Sequence, residues 1–209
     1  MIMIVTGCEY AGKSTLINKL MSWGEEHGFR FHLDDHFSIP DEYFLEEADQ
    51  KAMLAMTPTI KERFQRFQIY YHISVMHNHP NTLLGGYHIE EAIYGPRYYY
   101  PGRRYPDYFR TVEGHFPEDA ILLLLEASPE VIAKRMAEHP HKYNIIAQED
   151  IPELLSAFAG EFEASSVQHK MRLDTSEMTP DETFQAFLAG VVGYLSPDDD
   201  VRRNLPAGT

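Results

Sequence analysis

Gly7-Cys8-Glu9-Tyr10-Ala11-Gly12-Lys13-Ser14-Thr15 fits G-x-x-x-x-G-K-[ST], the Walker A pattern of a phosphate-binding loop. Its surroundings fit as well. Met1 to Thr6 is a β-favouring apolar run ending at Gly7, and beyond the loop Leu16, Ile17, Leu20 and Met21 recur at helical spacing. In such a strand-loop-helix unit the two glycines permit a compact loop whose N–H groups turn inward as an anion nest. The helix that follows adds the positive end of its dipole. Every position from Gly7 to Thr15 is therefore a candidate nucleotide contact. Lys13 is expected to reach the β- and γ-phosphates of a triphosphate such as ATP, and the Ser14 hydroxyl to ligate Mg²⁺. Cys8 reads as a small side chain packed beside the loop.

Further along, Phe29 to Leu33 reads as a second strand stopped by Asp34-Asp35, and residues 41 to 56 look helical. From Thr59 the apolar positions Ile60, Phe64, Phe67, Tyr71 and Val75 step by four, three, four and four. That spacing predicts an amphipathic helix with these residues as its core stripe, closed by His79-Pro80. Thr82 to Ile89 reads as a third strand running into Glu90-Glu91. Residues 95 to 108, GPRYYYPGRRYPDY, are too rich in Pro, Gly and Tyr for a regular element and read as a structured loop. The continuous apolar run Ala120 to Leu125 suits a parallel strand covered on both faces. Ser128-Pro129-Glu130 starts a helix, His139-Pro140 ends it, and Asp150 to Ser166 forms another. Lys170 to Asp174 is a fifth strand. Thr179-Pro180-Asp181 caps a last helix to about Leu195, and residues 196–209 read as a flexible tail. Strands alternating with helices imply one three-layer α/β domain around a mainly parallel sheet, with ligands at the carboxyl ends of the strands.

Composition narrows the class further. At 209 residues, 44% apolar and 24% charged, the chain is neither collagen-like nor wholly disordered. Its longest apolar run, Ala120 to Leu125, is far short of the ~20 residues that cross a bilayer. A single cysteine cannot form an internal disulfide, which suits a reducing compartment, with the cytoplasm as the default. Eighteen Lys and Arg against 32 Asp and Glu give −14, a field that disfavours non-specific nucleic-acid binding. An anionic ligand then needs a local positive site. Arg97, Arg103, Arg104 and Arg110 against Asp107 form such an island, whereas the acids from Asp41 to Asp49 read as a solvated helix face.

No N-K-x-D guanine-reading motif is present, and no apolar strand ends in a clear Walker B aspartate; Ala120 to Leu125 ends in Glu126. The phosphate loop, the acidic pair Asp34-Asp35, the segment Glu90 to Tyr98, and the run Leu125 to Arg135 resemble the deoxynucleoside kinase and thymidylate kinase group. The ending Leu173-Asp174-Thr175-Ser176 with Thr179-Pro180-Asp181-Glu182 is similar to that group too. The resemblance implies a phosphoryl transferase on a P-loop fold, with a five-stranded sheet in the order 2-3-1-4-5 and a helical lid at about 134–150. It implies a base near the acceptor hydroxyl at Asp34 or, preferably, Asp35, and Mg²⁺ or substrate duty at Glu90 or Glu91. It further implies lid cations, of which Arg135 is the first candidate, with Lys134 and Lys142 behind it. Two places depart from the group: its Glu-Arg-Ser signature reads Glu90-Glu91-Ala92, and its Arg-x-Arg lid reads His139-Pro140-His141-Lys142.

Among the remaining residues, Arg97 with Tyr98 to Tyr100 could grip a substrate phosphate or stack on a planar acceptor, or simply pack on the core. Phe67, Gln68 and Tyr71 lie on the helix that lines the acceptor pocket in the resembling group, with core packing the better reading of the two aromatics. His77-x-His79 and His139-x-His141 flank prolines at helix ends, where capping and exposure explain them more simply than zinc. The reading is a cytosolic kinase using Mg·ATP on a small-molecule acceptor, with a nucleoside or nucleotide favoured by resemblance. A sugar, an antibiotic or another metabolite fits the same residues. A regulatory nucleotide switch acting through a protein partner is the competing class, and the tyrosine-rich loop could serve a homodimer as easily as a substrate.

Overall fold

A computed structural model describes residues 1–35, 39–40, 45–101 and 108–205. The apolar run Ile2–Thr6 is β1, buried at every position. The loop and helix α1 (Lys13–Glu26) follow, with Leu16, Ile17, Leu20 and Gly24 turned inward. β2 is His32–Asp35, so the two aspartates belong to the strand rather than stopping it. Helix α2 is Glu47–Leu54 and α3 is Pro58–Asn78. Strand β3 (Thr82–Gly85) stops there because Gly86 and Tyr87 take φ of +77° and +86° and turn the chain away from the sheet. The expected strand to Ile89 therefore gives way to helix α4 (His88–Tyr94), which continues as a π-helical turn over Gly95–Tyr99 where a loop is expected. Helix α5 is Tyr108–Glu113, β4 is Ala120–Glu126 and α6 is Pro129–Glu138, capped by the Ser128 hydroxyl. Helix α7 (Ile151–Ala164), β5 (His169–Asp174) and α8 (Pro180–Val191) complete the alternation, with a Thr179/Glu182 capping box opening α8.

The five strands form one parallel sheet in the order β2-β3-β1-β4-β5. Right-handed crossovers put α1 on one face and the helices joining β2 to β3, β3 to β4 and β4 to β5 on the other. Helix α8 returns to the α1 face, where Lys19 pairs with Asp181 at 2.6 Å and Trp23 meets the edge of Phe184. The register aligns Asp35 with Gly85, Val5 with Gly85 and Leu123, and Glu126 with Asp174. One edge of the sheet thus gathers the phosphate loop, Asp34 and the turns after β3, β4 and β5.

Two further expectations are corrected. Of the expected core stripe on α3, Ile60, Phe64, Phe67 (67% exposed) and Tyr71 are exposed and Val75 is buried, and the buried face carries Glu62, Gln65, Ile69, His72 and Met76 beside it. The helix is rotated from the apolar stripe because its inner face meets the polar carboxyl edge of the sheet, where Nε2 of His72 lies 3.2 Å from Asp34, while Glu62 pairs with Arg66 one turn along the helix. The segment 196–205 is packed rather than a free tail. Helix α9 (Asp200–Arg203) buries Val201 completely, and Asn81 donates to Asp200 at 2.7 Å. Among the described residues no helix is long and apolar enough to cross a membrane.

Candidate active site

The loop between β1 and α1 is wound tightly by three residues with positive φ: Gly7 at +152°, Tyr10 at +66° and Gly12 at +104°. Gly7 leaves no choice of side chain, since a Cβ there would overlap the Leu125 carbonyl oxygen of β4. Lys13 folds back over the loop. Its Nζ donates to the Gly7 carbonyl at 2.7 Å and lies 2.9 Å from Oε1 of Glu90, both side chains about one-seventh exposed. Burial works against the Lys13 charge, but Glu90 and Glu9 outweigh it and hold the ammonium above its usual range. Ser14 and Thr15 face solvent on the first turn of α1. Cys8 is buried, and loss of hydration pushes its thiol up to about 11.

Glu90 reaches Lys13 because α4 begins immediately after the left-handed Gly86. A Cβ at Gly86 would come within 2.7 Å of the Glu90 carboxylate. Its neighbour Glu91 points the other way, into the core, where it accepts a hydrogen bond from the buried Tyr100 hydroxyl. Burial, reinforced by Glu62, raises the Glu91 carboxyl well above the usual range. Tyr94 from the same helix accepts the Glu9 N–H at 2.9 Å, joining α4 to the phosphate loop. The Glu9 carboxyl is pushed up by burial and pulled down further by Lys13 and His141, so it is held ionised.

Asp34 carries its carboxylate 3.2 Å from Nε2 of the buried His72, which in turn packs edge-on against Tyr87. The side chain of Asp35 lies outside the described residues, as do Arg103, Arg104 and Asp107. The other candidates are spread more widely. Arg97 pairs with Glu153 at 2.6 Å and Asp150 at 3.5 Å, and Tyr98 donates to Asp150 at 2.8 Å, tying the π-helical turn to the start of α7. Arg110 likewise pairs with Glu161, so two arginines of the expected positive island bridge to α7. Gln68 is half-buried on α3, while Gln65 faces inward at full burial. Arg135 donates to the carbonyls of Tyr10 at 3.0 Å and Thr175 at 2.8 Å and to the Thr175 hydroxyl at 3.0 Å. It therefore braces the phosphate loop against the end of β5.

The geometry brings together Lys13, Glu9, Glu90 and the loop amides, with Asp34 on the same edge of the sheet. It does not bring Glu91 or Arg97 to them. Glu62, Gln65, His72 and Tyr94 are the residues the sequence reading passes over. Glu62, Gln65, Ile69, His72 and Met76 share one helical face, a mixed polar stripe that a search for apolar periodicity ranks below the aromatic one.

The fold matches known structures over nearly the whole chain. The YorR protein of Bacillus subtilis in complex with phosphorylated GDP superposes with a TM-score of 0.63 at 17% identity, covering 94% of this chain and 99% of its own. The fold is that of the P-loop nucleoside and nucleotide kinases. Deoxyadenosine kinase from M. mycoides with bound dATP gives a TM-score of 0.62 at 13% identity, covering 91% of this chain and 99% of that one. Thymidylate kinase from Candida albicans gives 0.60 at 11% identity, with coverage of 91% and 90%. In sequence, no protein-family model matches the chain and no curated protein does. The P-loop kinase fold accounts for the 2-3-1-4-5 order that the resemblance implies.

Proposed function

We propose that the protein is a kinase that transfers the γ-phosphoryl group of Mg·ATP to a hydroxyl or phosphate oxygen of a nucleoside or nucleotide. The observation that carries this reading is the joint presence, at one edge of the sheet, of Lys13 folded over the phosphate loop, Glu90 beside it and the Asp34 carboxylate. A nucleotide switch has no acceptor hydroxyl for Asp34 to orient. The superposable thymidylate kinase and deoxyadenosine kinase favour nucleosides or nucleotides as the acceptor class.

In this reading the loop amides and Lys13 hold the β- and γ-phosphates and stabilise charge that shifts toward the leaving oxygen. The acceptor oxygen attacks the γ-phosphorus, the bond to the β,γ-bridging oxygen breaks, and ADP leaves. The proton of the acceptor hydroxyl passes to the carboxylate of Asp34 or Asp35. His72 holds Asp34 in place. The segment 134–150 closes over the loop to exclude water. Glu90 and the exposed Ser14 hydroxyl are hard oxygen donors fit for Mg²⁺, which needs only one or two protein ligands beside phosphates and water. When bound with the nucleotide, the cation neutralises phosphate charge. Cytoplasmic residence fits the single, buried cysteine.

Transfer from γ-labelled ATP to pooled nucleosides, nucleoside monophosphates, sugars and aminoglycosides tests the proposal, with Lys13→Ala as control. Label on a nucleoside or nucleotide, lost in the variant, supports it. Label on another pool would keep the kinase and change its substrate, and label reaching only water would favour a regulatory NTPase.

A further inference from the structure

The lid of a phosphoryl transferase needs positive charge over the phosphates, and the sequence offers Arg135, Lys134 and Lys142 for it. Each is engaged elsewhere. Arg135 braces the carbonyls of Tyr10 and Thr175, Lys134 extends to Glu138 on its own helix at 4.0 Å, and Lys142 donates to Gln50 of α2 at 3.0 Å. The ionisable side chain of the segment 139–147 that sits on the phosphate loop is His141. Its Nδ1 lies 3.1 Å from Oε2 of Glu9, and its ring stacks on Tyr10 with centroids 4.3 Å apart and planes 27° apart. Its backbone N–H donates to the Tyr10 hydroxyl at 3.1 Å, and that hydroxyl donates to Asn144 at 3.0 Å. Tyr10 makes these contacts from φ +66°, a left-handed conformation that is costly for a non-glycine residue.

We propose that His141 is the lid's phosphate-binding cation, docked on the phosphate loop by Glu9 and Tyr10 and protonated when a nucleoside triphosphate is bound. The inference rests on the kinase reading and names a residue of that same site. The charges at the loop require such a group. Lys13 faces two carboxylates, Glu90 and Glu9, so loop and carboxylates together carry no surplus positive charge to meet a polyphosphate. An imidazole between a carboxylate and a phosphate is favoured in its charged form by both neighbours. The groups facing His141 include Glu9 and Tyr10 from the loop, and Asn144 of its own segment accepts from the Tyr10 hydroxyl. Lys13 acts on it through Glu9, and His139 and Lys142 flank it in the chain.

Proton uptake on binding reads this directly, without turnover. Calorimetric titration with the Mg²⁺ complex of the non-hydrolysable β,γ-imido analogue of ATP is run at pH 8 in buffers of different ionisation enthalpy, with no acceptor. The wild type is expected to take up more protons per nucleotide than either His141 variant, since neither arginine nor asparagine changes its charge at that pH. His141→Arg, whose charge is fixed, should bind with near wild-type affinity and without that uptake. His141→Asn should bind about tenfold or more weakly, again without it, and Tyr10→Gly should reduce both affinity and uptake by freeing the docking platform. Thermal melts establish that each variant is folded. Equal uptake in the wild type and in both His141 variants overturns the proposal while leaving the kinase reading intact. A wild type that binds no nucleotide overturns both.

Discussion

Lys13→Ala is expected to do two separable things: abolish nucleotide binding and lower stability. At 2.9 Å and an effective dielectric of ~20, the gross attraction between Lys13 and Glu90 is about 6 kcal/mol. Desolvation returns most of this, leaving a coupling of about 1–3 kcal/mol for a pair in contact. Removing Lys13 leaves Glu90 and Glu9 without the ammonium that holds both, so Lys13→Ala should cost about 2–4 kcal/mol. For a chain of this size that lowers Tm by roughly 4–16 °C. Glu90→Gln alone should cost about 1 kcal/mol, because Lys13 keeps its bond to the Gly7 carbonyl. The double variant should recover at least ~1 kcal/mol relative to Lys13→Ala and still bind no Mg·ATP. Thermal and urea melts read the first quantity and calorimetric titration the second. A double variant as unstable as Lys13→Ala refutes the paired-charge account. A double variant that binds nucleotide like the wild type refutes the role given to Lys13.

One of Asp34→Asn and Asp35→Asn should lower turnover by about 10²–10⁴-fold with Mg·ATP affinity unchanged, read by steady-state kinetics beside calorimetry; turnover unchanged in both, or an equal loss of donor affinity, contradicts the acceptor-base role. Glu113 is pushed up by burial, but hydrogen bonds from His88 at 2.8 Å and from Ser166 outweigh this and hold it down at about 2. Its folded pKa lies below the unfolded value of ~4.3, so the stabilisation is complete above that pH and is lost as pH falls toward about 2. Glu113→Gln should therefore lower stability at pH 7 and flatten the acid limb of a stability–pH curve, and parallel curves for the two proteins would contradict this. Cys8, buried and pushed up to about 11, should react with a thiol reagent at pH 8 at least about a hundredfold more slowly in the folded protein than in urea. Rapid labelling of the folded chain would show the loop to be open.

The sheet and its alternation were legible because parallel strands buried on both faces must be continuously apolar, as Ile2 to Val5 and Ala120 to Leu125 are. The phosphate loop was legible because its glycines answer a backbone demand, most plainly at Gly7 against the Leu125 carbonyl. Helix α3 was misread for the converse reason. Its inner face serves a polar edge and carries Glu62, Gln65 and His72, while Phe64, Phe67 and Tyr71 face outward. Apolar spacing alone then points to the wrong side. The turn after β3 was hidden by a local choice, since Gly86-Tyr87 reads as strand continuation until their positive φ values are seen. Glu90 and Glu91 looked interchangeable in sequence. One helical step of about 100° sends Glu90 to Lys13 and Glu91 to Tyr100.

Phosphorus NMR of ATP, Mg²⁺ and the purified protein, recorded with and without nucleosides and nucleoside monophosphates, tests the central claim most directly. The account predicts that ADP accumulates only when an acceptor is present, matched mole for mole by a new phosphate ester or diphosphate resonance, and that Lys13→Ala suppresses both signals. Inorganic phosphate forming at the same rate with or without acceptor, or ATP left untouched in every mixture, would contradict it.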